Sequence, residues 1–152
     1  MCIVIKKKDF ELKTAKKDII VYKKIRLIKQ NGRYLKNKVT AYYMFDYIYK
    51  KDNKQPVIDL RMTDCIEFYA INEGYHFYRK IAIEDAEFAM LDNKNINKNK
   101  NINIIHRYAQ FTIPKDTKYC VKKYSNLGVA GGIIFNKILD IDDLKQLLKI
   151  GK

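Results

Sequence analysis

The chain has one serine (Ser125), two histidines, three cysteines, two prolines and no tryptophan. A lone serine with no nucleophile-elbow motif around it excludes a serine-based catalytic triad. Cys2, Cys65 and Cys120 are too few and too scattered for a disulfide framework, and none belongs to a Cys-x-x-Cys pair of the kind that holds structural zinc. Their scarcity fits a reduced, cytoplasmic setting. His76 and His106 are the only imidazoles and the carboxylates are dispersed, so no metal-ligand spacing exists and no cofactor is expected. Cys–His nucleophilic chemistry would require Cys65 or Cys120 to meet a histidine through the fold. The apolar neighbours of Cys65 (Ile66, Phe68) and the strand-like run around Cys120 read instead as buried structural cysteines. No apolar run approaches the roughly 20 residues that cross a bilayer, so no membrane partner is expected. The short apolar start before Lys6 does not read as a secretory signal.

Against these absences stand basic and aromatic residues. The 152 residues are close to one typical domain of about 150. With 47% hydrophobic content and 12 tyrosines, a single folded domain over 1–152 is expected rather than a disordered chain. Lysine, asparagine, isoleucine and tyrosine are abundant, a bias that AT-rich coding produces by itself. The formal net charge is +14, unevenly spread: residues 1–54 carry +11, residues 55–91 carry −4 and residues 92–152 carry +7. A segregated positive field attracts polyanions and speeds their encounter. The bland alternative is a lysine-rich solvated surface that keeps the protein in solution.

Along the chain, residues 6–17 read as a loose arm or short edge element. Residues 18–29 read as a strand, with Ile19, Val21, Ile25 and Leu27 on one face and Tyr22, Lys24 and Arg26 on the other. Asn31-Gly32 predicts a hairpin into a second strand from Arg33 to about Phe45, because a type I′ turn needs positive φ twice. An aromatic stretch over 42–49 runs into a polar loop at 50–54, and Pro56 opens a short extended piece. Residues 66–79 read as strand, turn and strand, and residues 81–91 as a helix with Glu84 and Asp85 at its positive end. The Asn/Lys-rich tract 92–103 reads as a mobile loop. A strand over 104–113 ends at Pro114, and residues 117–124 are strand-like. Gly128 and Gly131-Gly132 bracket a turn before a buried strand at 133–139. Asp140 then caps a helix over 141–150 that Gly151 ends. The expected fold is α+β, with a mainly antiparallel, twisted sheet, an N-terminal hairpin, one mid-chain helix and one C-terminal helix.

The glycine-rich segment 128–132 lacks the spacing of a phosphate loop and precedes a strand rather than a helix, so it reads as a tight turn. The most suggestive constellation is Glu73-Gly74-Tyr75-His76-Phe77-Tyr78-Arg79. If extended, it points His76 and Tyr78 to one side, with Arg79 near the strand end. His106 and Tyr108 share a face of the later strand, beside Arg107. Aromatic rings stack on bases and arginine holds phosphate bidentately. The competing reading packs the tyrosines into a core with their hydroxyls at its rim. Cations interleave with rings at Tyr22-Lys23-Lys24, Arg33-Tyr34, Tyr49-Lys50-Lys51, Arg107-Tyr108 and Lys122-Lys123-Tyr124. The candidate ligand-binding set is therefore Tyr22, Lys24, Arg26, Arg33, Tyr43, His76, Tyr78, Arg79, His106, Arg107 and Tyr108. No signature of a base-reading module is present.

Met1-Cys2, the run Asp18 to Lys23, Glu73-Gly74-Tyr75-His76-Phe77, Glu84-Asp85-Ala86 and the run Ile113 to Tyr119 together resemble a family of small uncharacterised proteins of phages, mobile elements and gut-type bacteria. Tyr75 and Asp116 stand where that family has phenylalanine and glycine. The resemblance implies no activity; it implies a phage or mobile-element origin and a part in host–phage conflict within the bacterial cytoplasm. The chain is also similar, more faintly, to small ADP-ribosyltransferase-like folds, in which a strand histidine contacts the dinucleotide. Three functions follow as expectations. The first is a non-catalytic binder of nucleic acid or a nucleotide-type anion. The second is a protein-binding inhibitor or accessory factor of a host defence complex, able to self-associate. The third is an enzyme on a nucleotide, using His76 with Glu73 or Glu67.

Overall fold

Strands dominate the chain. The computed structural model describes residues 3–31, 33, 34, 40, 41, 60–81, 92–97 and 102–150. Their elements are β1 (Ile3–Lys6), a 3-10 turn (Lys7–Asp9), β2 (Phe10–Thr14), β3 (Ile19–Gln30), β4 (Arg33–Tyr34), β5 (Thr40–Ala41), β6 (Arg61–Asp64), β7 (Phe68–Glu73), β8 (Tyr75–Tyr78), β9 (Asp92–Asn97), β10 (Ile102–Ile113), β11 (Lys118–Lys122), β12 (Leu127–Ala130), β13 (Ile134–Leu139) and one helix, α1 (Ile141–Ile150).

The α+β expectation is corrected: among the described residues the fold is mostly antiparallel β, with a single short helix at the C-terminal end. Of the expected mid-chain helix, Ile81 is not helical and residues 82–91 lie outside the described residues. The strand content was underestimated because β2 and β9 are rich in polar or charged residues and β1 is only four residues long. An outer strand meets water on one side and so carries little of the apolar pattern that marks a central one. Residues 6–17, read as a loose arm or short edge element, hold the last residue of β1, the 3-10 turn and the edge strand β2, and the tract read as a mobile loop contributes β9, which pairs with β10 through two register shifts. Residues 35–39, 42–59, 98–101 and 151 of the remaining sequence expectations are outside the described residues.

Of the expected Asn31-Gly32 turn, Asn31 and the flanking pairs are described, and Gly32 lies outside the described residues. Asn31 sits at φ 52°, and Gln30 pairs with Arg33 and Lys29 with Tyr34 across it. Pro114 follows the last residue of β10. Asp140 caps α1 reciprocally: Asp143 N–H donates to Asp140 Oδ1 (2.8 Å) and Asp140 N–H donates to Asp143 Oδ2 (3.1 Å). Leu144, one residue on, is fully buried.

The chain divides into two compact units. The first comprises Met1–Tyr22, Lys54–Lys80 and Phe111–Phe135; the second comprises Lys23–Asn53, Ile81–Gln110 and Asn136–Lys152. The first holds a three-stranded sheet in the order β1-β7-β6 and the run of pairings β3-β8-β12-β11-β2. Ile5 and Ile71 of the small sheet bury against Cys120 and Val129, with Ile3, Phe10, Leu60 and Tyr69 packed around them. Of the strands wholly in the second unit, β4 and β5 pair with β3 and β9 pairs with β10; β3, β10 and β13 each have residues in both units.

Two glycines of the first unit are required by geometry. Gly74 carries the chain from β7 in the small sheet to β8 in the larger one at φ 148°, where a Cβ would run into Val129 and Leu60. Gly128 is a correction to the turn reading: it lies within β12, opposite Phe77, and a Cβ there would overlap the Phe77 ring. The larger ring at one position is accommodated by the missing side chain at the other.

Candidate functional site

The expected binding residues do not gather on one open face. Tyr22 and Tyr78 stand directly opposite each other where β3 meets β8. Tyr22 is 9% exposed, and burial raises its pKa. His76 lies on the same side of β8 as Tyr78, paired with the fully buried Val129; the His76 ring is half-buried, with Nε2 inside. Tyr75 and Phe77, on the opposite side, are buried. In the second unit, Tyr108 is fully buried and Arg107 is 8% exposed, while Lys24 and Arg26 are half-buried and Arg33 is exposed. His106 lies on β10, and Tyr43 is outside the described residues.

Of the carboxylates considered for catalysis, Glu73 pairs with Arg61 (3.5 Å) and Glu67 is exposed in the β6–β7 turn. Cys120 is buried, which pushes its thiol up to about 11, whereas Cys65 is only half-buried. Among the described residues, no three His, Cys, Asp or Glu side chains gather as a metal site.

On β3 the alternation breaks down, with Val21, Tyr22 and Lys23 buried in succession, whereas β8 keeps it, with Tyr75 and Phe77 buried and His76 and Tyr78 half-buried. Lys23 lies on the apolar face of β3, the side of Val21 and Ile25, and burial lowers its pKa to about 7.

A different cluster does reach solvent, at one end of the first unit. The chain leaves β11 through Lys122, Lys123, Tyr124, Ser125 and Asn126 and returns as β12. Ser125 N–H donates to the Lys122 carbonyl (3.2 Å), closing the turn, and Leu127 N–H donates to Ser125 Oγ (3.2 Å). Lys123 N–H donates to the Asp9 carbonyl (2.7 Å), which ties the 3-10 turn carrying Lys8 to this end. Asn126 holds the segment that follows β8. Its backbone carbonyl accepts from Arg79 N–H (2.8 Å), its Oδ1 from Lys80 N–H (2.7 Å), and its Nδ2 donates to the Lys80 carbonyl (2.5 Å).

Three segments distant in sequence thus bring Lys8, Arg79, Lys80, Lys122 and Lys123 to the surroundings of Tyr124. Lys8, Arg79, Lys80 and Lys123 are exposed, Lys122 is half-buried, and Tyr124 is fully exposed at φ 60°. Asp9 is the one carboxylate on these turns. Lys7 is engaged elsewhere: it pairs with Asp64, a hydrogen bond that raises its pKa, and it lies 5.1 Å from the centre of the Tyr69 ring. Chemically, the cluster offers a fork of guanidinium donors, several point charges and a free aromatic face.

Of the residues expected to bind, Arg79 alone belongs to this cluster. Lys122-Lys123-Tyr124 was visible as one of the interleaved cation–ring runs, but its strand-like reading hid the turn. The Ser-Asn pair that follows Tyr124 is the turn signal that would have exposed it.

Compared with known proteins, the chain matches no family model, no curated protein and no solved structure. No helix among the described residues is long and apolar enough to cross a membrane.

Proposed function

We propose that this protein is a non-catalytic binder of nucleic acid, acting through the basic end of its first unit. The observation that supports this reading is the cation set Lys8, Arg79, Lys80, Lys122 and Lys123, gathered with a single carboxylate by hydrogen bonds that fix the three segments to one another. Backbone segments already fixed to one another need no reordering to present these cations, and each phosphate neutralised releases bound counterions. The net charge of +14 adds long-range attraction. A part in host–phage conflict in the bacterial cytoplasm is the setting that the sequence resemblance suggests.

The test is fluorescence anisotropy with a labelled single-stranded oligonucleotide. Contact with about four phosphates predicts an affinity loss of about 50-fold between roughly 50 and 200 mM salt. The combined variant Arg79→Ala, Lys80→Ala and Lys123→Ala should weaken binding at low salt and flatten this dependence. Absence of binding at low salt, or a salt response that the triple variant leaves unchanged, rejects the reading.

A second reading, that of a protein-binding accessory factor, is favoured by the small sheet. Val4 (55% exposed) and Phe68 share its outer face, and Ile66 (95% exposed) stands in the adjoining turn. Apolar side chains grouped in the open mark interaction surfaces more often than isolated ones do. Sedimentation velocity on the wild-type protein and on Ile66→Asp tests self-association through this face; a monomer in both cases leaves the surface without that use.

A further inference from the structure

Tyr124 is poorly explained by folding alone. It packs nothing, being fully exposed, and at φ 60° it takes a backbone conformation that costs a bulky side chain free energy. The turn position normally belongs to glycine or asparagine, which adopt positive φ without that cost. Its turn is also hydrogen-bonded, through Lys123 and Asn126, to the segments that carry the cations described above. A large ring kept at a strained, solvent-facing position among phosphate-binding side chains has a use outside the core.

We infer that Tyr124 is a stacking platform for an unpaired nucleobase, so that the ligand is a single strand rather than a duplex. The inference rests on the nucleic-acid reading and adds the class of ligand to it. Every base has a π-face, so a ring presented in this way holds an unstacked base without selecting its identity, while adjacent cations track the backbone. In a duplex the bases are already stacked on one another and present only their edges, leaving the ring without a partner. The absence of any base-reading module is consistent with a platform that accepts many sequences.

The experiment compares Tyr124→Gly and Tyr124→Phe with the wild-type protein, measuring melting temperature and affinity for a single-stranded oligothymidylate and for a duplex of matched length. Tyr124→Gly relieves the backbone strain and should raise the melting temperature. It should nevertheless weaken oligothymidylate binding about tenfold or more, as losing a stacking ring does. Tyr124→Phe retains the ring and should bind close to wild type. Duplex affinity should be the same in all three. A variant more stable than the wild type cannot owe its weaker binding to misfolding. Equal binding of duplex and single strand, with no effect of Tyr124→Gly, overturns the stacking inference and leaves the phosphate-binding reading intact. Failure of the wild-type protein to bind either polymer at low salt overturns both.

Discussion

Lys23 carries the clearest pH dependence among the described residues. Its folded pKa of about 7 lies below the ordinary value of 10.5, so between these limits the unfolded chain binds the extra proton. Stability should therefore rise with pH above 7, with a slope approaching about 1.4 kcal/mol per pH unit. Cys120 works in the opposite sense. Its folded pKa is raised from 9.0 to about 11, so it subtracts stability as pH rises above 9.0. The interval from pH 7 to 9 isolates the lysine, and urea titrations across it should show an increase in the wild type that Lys23→Met abolishes. Sequence alternation placed Lys23 on the face of Val21 and Ile25 but could not show that this face is sealed. At Gly128, the near contact with the buried Phe77 ring predicts that Gly128→Ala destabilises by about 1–3 kcal/mol, read from the same titrations. A second change, Phe77→Leu, should recover part of that loss by making room.

At the level of elements, short-range signals were legible where they act through the local backbone. The Asn31 turn, the stop at Pro114 and the Asp140 cap each depend on a few neighbouring residues, and each appears in the structure. Asp140→Ala removes the acceptor for Asp143 N–H and should cost about 1 kcal/mol, seen as a lower urea midpoint. Long-range pairing was not legible. Nothing near Asn126 announces that its amide holds Lys80, 46 positions away. Asn126→Ala should lower stability by about 0.5–1.5 kcal/mol, since two solvent-exposed backbone groups exchange the amide for water. It should also weaken oligonucleotide binding, because Lys80 loses both of its bonds to the Asn126 amide while Arg79 keeps only its bond to the residue-126 carbonyl. Asn126→Ala combined with Arg79→Ala and Lys80→Ala should then bind no worse than the latter two together. An additive loss would show that Asn126 contributes independently of those cations.

Across the whole molecule, protection should follow strand position. In the first unit β12 is hydrogen-bonded on both sides, to β8 and β11, while β2 and β6 each end their run of pairing. Hydrogen exchange should find the amides of β12 slowest and those of β2 and β6 faster by at least about tenfold. Comparable rates would mean that this unit opens only as a whole. The amino-acid sequence by itself determined the charge, the antiparallel strand character of the central segments, the local turns and the helix cap, because each follows from composition or from neighbours a few residues apart. It could not determine which aromatic rings remain accessible, since exposure depends on what packs over a strand from elsewhere in the chain. Only the tertiary structure decided that Tyr22 and Tyr108 are covered, that Tyr124 stands free, and that its turn is hydrogen-bonded to the segments carrying the other cations. Hydrogen bonds between residues remote in sequence set those neighbours.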